Sequence, residues 1–236
     1  MSPQTAYYAG FLAADGNLLF NKKVCRIMLS AKDSCILEGF KHYTSSSHPI
    51  KLASRKRYRS EETMKVASIS IAGCGTWFQD LDEIWSITPN KTFTLRPPNI
   101  TDGTLVWPFI LGAMDGDGHV SVTKRDGALA TGLAGASLEF MQWVKFHIDG
   151  AFPIERYKYR RFNNKPICKV KNYYVMCFNG RRAAAIIDFL GRLPVSKLDR
   201  KWNRPDVLAA LDVYRQKYPH LFLQTEHAAT KLSTQS

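Results

Sequence analysis

Two acids in this chain stand where carboxylates are least favoured, and their setting repeats. Asp15 closes the segment Tyr7-Tyr8-Ala9-Gly10-Phe11-Leu12-Ala13-Ala14-Asp15-Gly16, and Asp117 falls in Phe109-Ile110-Leu111-Gly112-Ala113-Met114-Asp115-Gly116-Asp117-Gly118. Each copy runs apolar and small, then reaches an acid and a glycine. The spacing predicts a short helix ending at the acid, with glycine as its left-handed stop. A carboxylate there meets the negative end of the helix macrodipole. Ala9, Gly10, Ala13 and Ala14 leave one side of the first helix bare, as Gly112, Ala113 and Gly116 do for the second. Bare faces let two backbones approach closely. Parallel packing would bring the two carboxylates together, and like charges at close range are costly. Crowded oxygen ligands of this kind suit a divalent cation. A single Asp-Gly would read as an ordinary turn; two copies on matching faces favour the cation site.

Both segments resemble the signature of the LAGLIDADG homing endonucleases, in the single-chain form that carries two motifs. The motif's final acid falls on Asp15 and Asp117. Its first acid, a structural residue in the family, is kept as Asp115 but replaced by Ala13 in the first copy. Tyr8 stands for the motif's opening leucine. The resemblance covers about residues 6–200. It implies a site-specific endonuclease that cuts both strands of a long double-stranded DNA site and leaves short 3′ overhangs. It also implies that Asp15 and Asp117 hold Mg²⁺, with the backbone carbonyls of Ala14 and Gly116 as further ligands. Ca²⁺ could then replace Mg²⁺ for binding, and Mn²⁺ for activity. Each half of the family contributes a lysine to the central pocket, and Lys91 and Lys197, which follow Pro89 and Pro194, are the matching candidates. A lysine can stabilise the charge that develops during phosphodiester cleavage or orient the attacking water. The family's water-positioning polar residue on the second strand has no clear counterpart, since Met28 or Ser30 and Gly132 or Ala134 occupy that region.

Basic residues gather where strands are expected. Lys51, Arg55, Lys56, Arg57 and Arg59 lie close together in the first half. In the second, Arg156, Lys158, Arg160, Arg161, Lys165, Lys169 and Lys171 are interleaved with tyrosines. Alternation puts Arg55, Arg57 and Arg59 on one strand face and Arg156, Lys158 and Arg160 on another. Arg26, Lys65, Lys124 and Arg125 extend the candidate surface. A twisted antiparallel ribbon can enter the DNA major groove, where Arg and Lys read guanine edges or hold phosphates.

The whole composition agrees with a polyanionic partner. Among 236 residues, 33 are basic and 20 acidic, a formal charge of +13. The sequence has no apolar run of 18 or more residues, which argues against a membrane. Five cysteines form no C-x-x-C pair and read as reduced small hydrophobes in an intracellular, reducing compartment. His119, two residues beyond Asp117, reads as structural rather than as a general base.

Each motif helix must be positioned by the strands and helices that come after it. Expected strands are Asn17–Lys22, Val24–Ser30, Ile50–Tyr58 and Thr63–Ile71, with helices over Asp33–Tyr43 and Gly75–Trp85. The second half repeats the order: Pro108–Asp117 helical, strands near His119–Lys124, Ala128–Ala134, Ile154–Phe162 and Ile167–Phe178, helices over Ser137–Ile148 and Arg181–Leu193. A final helix runs from Asn203 to about Tyr218, with Leu208, Leu211 and Tyr214 inward. The fold class is therefore α+β. Two pseudo-symmetric α-β-β-α-β-β-α halves pack through their motif helices in a monomer and offer antiparallel sheets as a saddle. The division is 1–88 for the first half, 89–105 for a linker carrying Lys91, 106–200 for the second half and 201–236 for a helix and polar tail. The alternative function is a non-cutting one, an intron-RNA maturase or a DNA-binding regulator on the same scaffold.

Overall fold

The computed structural model describes residues 1–56, 61–72, 75–157 and 166–222. The first motif helix, α1, spans Pro3–Asp15 and starts from a capping box: Ser2 Oγ accepts from the Thr5 amide at 3.2 Å while Thr5 Oγ1 accepts from the Ser2 amide. After it come β1 (Gly16–Leu19), β2 (Val24–Ser30), α2 (Ser34–Tyr43), β3 (Lys51–Lys56), β4 (Thr63–Ala72) and α3 (Gly75–Glu83). The second half repeats this as α4 (Val106–Asp117), β5 (Gly118–Val122), β6 (Leu129–Gly135), α5 (Leu138–Ala151), β7 (Cys168–Val170), β8 (Tyr173–Asn179) and α6 (Gly180–Gly191). A short helix α7 (Asp199–Trp202) and a longer α8 (Pro205–Lys217) complete the described chain. The two antiparallel sheets have strand orders β1-β2-β4-β3 and β5-β6-β8-β7, so the halves match in topology as well as in element order.

One face of each sheet is apolar. Ile27, Leu29, Ile69 and Ile71 point from β2 and β4 towards Ile36, Leu37 and Phe40 of α2. Leu129, Leu133, Met176 and Phe178 do the same under α5 and α6. Both faces belong to one buried cluster that runs through the motif helices. Burial at this scale supplies the main driving force for folding.

The α1–α4 seam carries the small residues that close packing requires. A side-chain carbon on Gly10 would overlap the Phe109 carbonyl, and one on Gly112 would overlap the Tyr7 carbonyl. The partners advance together along both helices, through Gly116 against Ala14, so the helices run parallel and end side by side. The glycines after the acids are not left-handed stops. Gly16 has φ −77° and ψ 147°, and Gly118 has φ −92° and ψ 171°. Each helix passes directly into a strand, and this tight exit leaves no room for a Cβ beside the carbonyls of Leu12 and Met114.

Several other expectations shift. Residues 20–22 form a 3₁₀ turn rather than extending the first strand. Ile154–Tyr157 is also a 3₁₀ turn instead of a strand, and the expected strand over Ile167–Phe178 is two, β7 and β8, joined at Lys171 and Asn172. On α8 the buried residues are Val207, Ala210 and Leu211; Leu208 is exposed and Tyr214 only half-buried. Among the described residues no helix is long and apolar enough to cross a membrane.

The segments after α3 and α6 work as straps between the halves. Trp85 stacks on Phe109 of α4 with ring centroids 5.5 Å apart, and the Leu95 carbonyl accepts from Ser137 Oγ at 2.5 Å. In return, Ser196 exchanges two hydrogen bonds with the Gln4 side chain on α1. Arg200 Nε contacts both Asp33 carboxylate oxygens, at 2.7 and 2.9 Å. Each strap carries a lysine to the ends of the motif helices.

Candidate active site

Asp15 and Asp117 sit exposed at the shared C-terminal end of α1 and α4, Asp15 on an open groove along the first sheet and Asp117 on a small cavity between the halves. Crowding by surrounding protein raises both carboxyls above the usual range. Asp117 reaches about 6, with loss of hydration the main cause and the Asp15 charge next, against relief from Lys91 and Lys201. Asp15 is raised for the same first reason, with Lys201 and Lys91 opposing it.

Lys91 enters through a turn in which Asn90 adopts a positive φ of 56°, a conformation asparagine tolerates better than most residues. Its Nζ donates to the Gly16 carbonyl at 2.7 Å and to the Ala14 carbonyl at 3.3 Å. Burial lowers its pKa, and the charges of Asp117 and Asp15 resist that shift. Lys91 and Asp117, contributed by opposite halves, also share the wall of a small cavity of about 70 Å³.

Lys197 lies elsewhere. Its Nζ donates to the carbonyls of Gly191 and Leu193, at 2.5 and 2.9 Å, and so caps the end of α6. The place matching Lys91 is held instead by Lys201, which was not among the expected site residues. Lys201 is 7% exposed and donates to the carbonyls of Asp115, Gly118 and Met114 at 2.6, 2.7 and 2.8 Å. The proline shortly before Lys197 echoes the first half, but the lysine that stands at the helix ends is Lys201. The usable signal is the Lys201-Trp202 pair. Trp202 Nε1 donates to Asp115 Oδ1 at 2.6 Å, so one short helix satisfies the buried motif acid and delivers the ammonium group. Tyr7 Oη and the Leu198 amide donate to Asp115 Oδ2 at 2.9 and 2.8 Å. Asp115 is therefore an anchor with three donors, whereas Ala13 needs none.

The carbonyls of Ala14 and Gly116 lie beside the acids, and Ala14 already accepts from Lys91. A carbonyl oxygen has two lone pairs, so that contact leaves capacity for a further ligand. The donors gathered here are hard oxygens, which fit Mg²⁺ or Ca²⁺ and not a thiolate or imidazole metal. Among the described residues no cluster of three or more His, Cys, Asp or Glu side chains competes as a metal site.

The basic surface divides. Arg26, Lys51 and Arg55 line one open groove of about 550 Å³ that begins at Asp15 and Asn17. Arg26 Nε donates to Ser70 Oγ at 3.0 Å across the strand pair. Lys65 pairs in register with Ser54 and points to the opposite sheet face. Lys169, opposite Tyr174, likewise lies off the concave face, and Lys171 occupies the β7–β8 turn. Lys124 and Arg125 are exposed in the β5–β6 turn, where Arg125 is 3.6 Å from Asp126. Arg156 Nη2 is tied to the His220 carbonyl at 2.9 Å instead of standing on a strand. Arg57, Arg59, Lys158, Arg160, Arg161 and Lys165 lie outside the described residues.

The architecture and the paired helix ends define the LAGLIDADG homing-endonuclease fold in its single-chain, two-motif form. Solved structures similar over the full length bear this out. The LAGLIDADG meganuclease I-AabMI bound to uncleaved DNA is 12% identical, covers 98% of both chains and superposes with a TM-score of 0.54. I-CpaMI bound to uncleaved DNA is 12% identical with 98% coverage of both chains and a TM-score of 0.55. The homing endonuclease I-SmaMI bound to cleaved DNA is 11% identical, covers 98% of this chain and 95% of its own, and gives 0.54. I-SmaMI has also been solved on an uncleaved target with calcium ions, at 12% identity and a TM-score of 0.51. No family model and no curated relative matches the sequence.

Proposed function

We propose that this chain is a site-specific double-stranded DNA endonuclease that uses a divalent cation, Mg²⁺ in the first instance. The observation that carries the proposal is the meeting of Asp15 and Asp117 at the ends of two parallel, closely packed helices, with one buried lysine from each half beside them. A carboxylate pair raised by lost hydration, with the Asp15 charge adding to the rise at Asp117, is well matched to a cation. When bound, that cation would supply positive charge to both the attacking and the departing oxygen of the scissile phosphate. The DNA complexes of similarly folded proteins, and the calcium-containing one among them, support the substrate and the cation class.

Hydrolysis forms a bond from a water oxygen to phosphorus, breaks the P–O3′ bond and delivers a proton to the 3′ oxygen. In this reading Asp15 and Asp117 hold the cation, assisted by the Ala14 and Gly116 carbonyls. Lys91 and Lys201 lie where their charge can stabilise the phosphoryl oxygens and orient water. Cutting two strands at a fixed stagger, with short 3′ overhangs, would follow from one scissile phosphate on each side of the acid pair. The Arg26, Lys51 and Arg55 groove would hold one arm of the duplex. A single chain suffices for this arrangement, so the working form is a monomer.

The test is selection of cleaved products from a randomised plasmid library in Mg²⁺. Recovery of one preferred sequence, cut in both strands, supports the proposal. Sequence-specific duplex binding with no nick in Mg²⁺ or Mn²⁺ would overturn it in favour of a non-cutting regulator; tight binding to structured RNA alone would favour a maturase.

A further inference from the structure

The two sheets correspond in register but not in chemistry. Opposite Asn17 on the first sheet stands Arg26, and opposite Arg26 stands Ser70. The matching row of the second sheet is His119, Gly132 and Cys177. One step along β2, back towards the level of Asp15, Met28, Ser68 and Lys51 form a row in the first half. Ala134, Val175 and Cys168 form it in the second. Arg26 is thus replaced by glycine, Lys51 by cysteine and Ser68 by valine. The buried residues on the opposite faces of both sheets are mostly apolar, so the contrast described here lies on the concave faces.

Gly132 has a local reason. A side-chain carbon there would press on the Met176 carbonyl and stand 2.8 Å from His119 Cε1, so the imidazole lies over a bare strand. Ala134 is half-buried and also lines the small cavity beside Lys91 and Asp117, Val175 is half-buried and Cys168 exposed. In the first sheet Arg26 Nε donates to Ser70 Oγ at 3.0 Å, a bond that restrains the guanidinium on the concave face.

We propose that the two halves read the inner base pairs of their DNA arms by different chemistry. The first half uses hydrogen bonds from Arg26 and Lys51 to guanine. The second uses apolar contact of Ala134, Val175 and Cys168 with thymine methyl groups. Major-groove guanine presents two acceptors that suit a bidentate arginine, whereas thymine presents a methyl group. A thiol such as that of Cys168 packs as a small hydrophobe. The target is therefore asymmetric in the kind of information each arm carries. This inference rests on the endonuclease reading, because it needs a specific duplex across the saddle.

The experiment is binding selection from randomised duplex DNA in Ca²⁺, followed by affinity measurements on the selected duplex. One inner arm should return guanine and the other thymine. Arg26→Ala should weaken binding by about tenfold or more and erase the guanine preference while the thymine arm stays selected. Deoxyuridine in place of each inner thymine should cost about fourfold per methyl removed, with the protein unaltered. The same replacement elsewhere in the duplex should cost nothing. A pool that stays random would remove the site-specific reading and this inference with it. A defined site with guanine in both inner arms, or one indifferent to deoxyuridine, would leave the endonuclease standing and overturn the inference.

Discussion

Lys201 Nζ donates to the Gly118 carbonyl at 2.7 Å, the same distance at which Lys91 Nζ donates to the Gly16 carbonyl in the other half. Both glycines follow a motif acid directly. The two lysines reach these positions by different routes, Lys91 from a turn beyond α3 and Lys201 from the short helix α7. Three-dimensional symmetry is kept where linear symmetry is lost.

That relationship predicts which lysines matter. Lys91→Met and Lys201→Met should each lower cleavage by about 100-fold, the scale expected for loss of one group that stabilises developing charge. Lys197→Met should leave cleavage near wild type, since its bonds only cap α6. Plasmid linearisation in Mg²⁺ distinguishes the three. Equal loss from Lys197→Met and Lys201→Met would remove the assignment.

The acid pair predicts a pH-dependent stability in metal-free protein. Asp117 titrates at about 6 in the folded chain against an ordinary value of 3.8. Between these values the folded state keeps a proton that the unfolded state releases, so stability falls as pH rises through the window. Asp117→Asn should therefore melt higher than wild type above about pH 6, with the advantage vanishing below about pH 4. The same variant should lose double-strand cleavage yet keep its duplex affinity in Ca²⁺. Full cleavage by folded Asp117→Asn would sink the mechanism, as would full cleavage by Asp15→Asn.

The buried motif acid predicts a structural loss. Asp115→Ala strips the acceptor from Trp202 Nε1, Tyr7 Oη and the Leu198 amide at once. The expected cost is about 2–5 kcal/mol, because buried donors are left unpaired. Urea denaturation measures it. A change below about 1 kcal/mol, close to the scatter between surface variants, would show that Asp115 does not anchor α7.

The helix seam predicts sensitivity to single carbons. Gly112→Ala should destabilise by about 1–3 kcal/mol or more through overpacking against the Tyr7 carbonyl. Gly150→Ala provides the contrast, since it lies in α5 with open space around it and should gain about 0.5–1 kcal/mol. Thermal melts of both variants suffice. A neutral Gly112→Ala would contradict the close approach of α1 and α4.

Much of this architecture is legible in the sequence because it rests on local patterns. The motif helices, the alternation in Val24–Ser30 and the repeated element order all follow from residue type and spacing. The glycine exits depart from expectation because a helix-ending glycine usually turns left-handed, while here the constraint is contact with Leu12 and Met114. Lys201 is hidden because its position depends on how the chain returns after α6, which no local periodicity encodes. The facing of Lys65 and Lys169 depends on pairing register, and one residue of register inverts a side chain. The contrast between the concave faces is hidden for the same reason: only cross-strand pairing reveals that Arg26 and Gly132 are counterparts.

Gly10 and Gly112 remove the cushion that usually separates two helices, and this makes the seam a caliper. Its jaws are Asp15 and Asp117, and backbone contact sets their gap. On the endonuclease reading, substitutions on the concave faces of the sheets can retune what the arms grip without moving the jaws. On the same reading, such a chain can drift in its DNA preferences while the spacing of its acid pair stays gauged by two glycines.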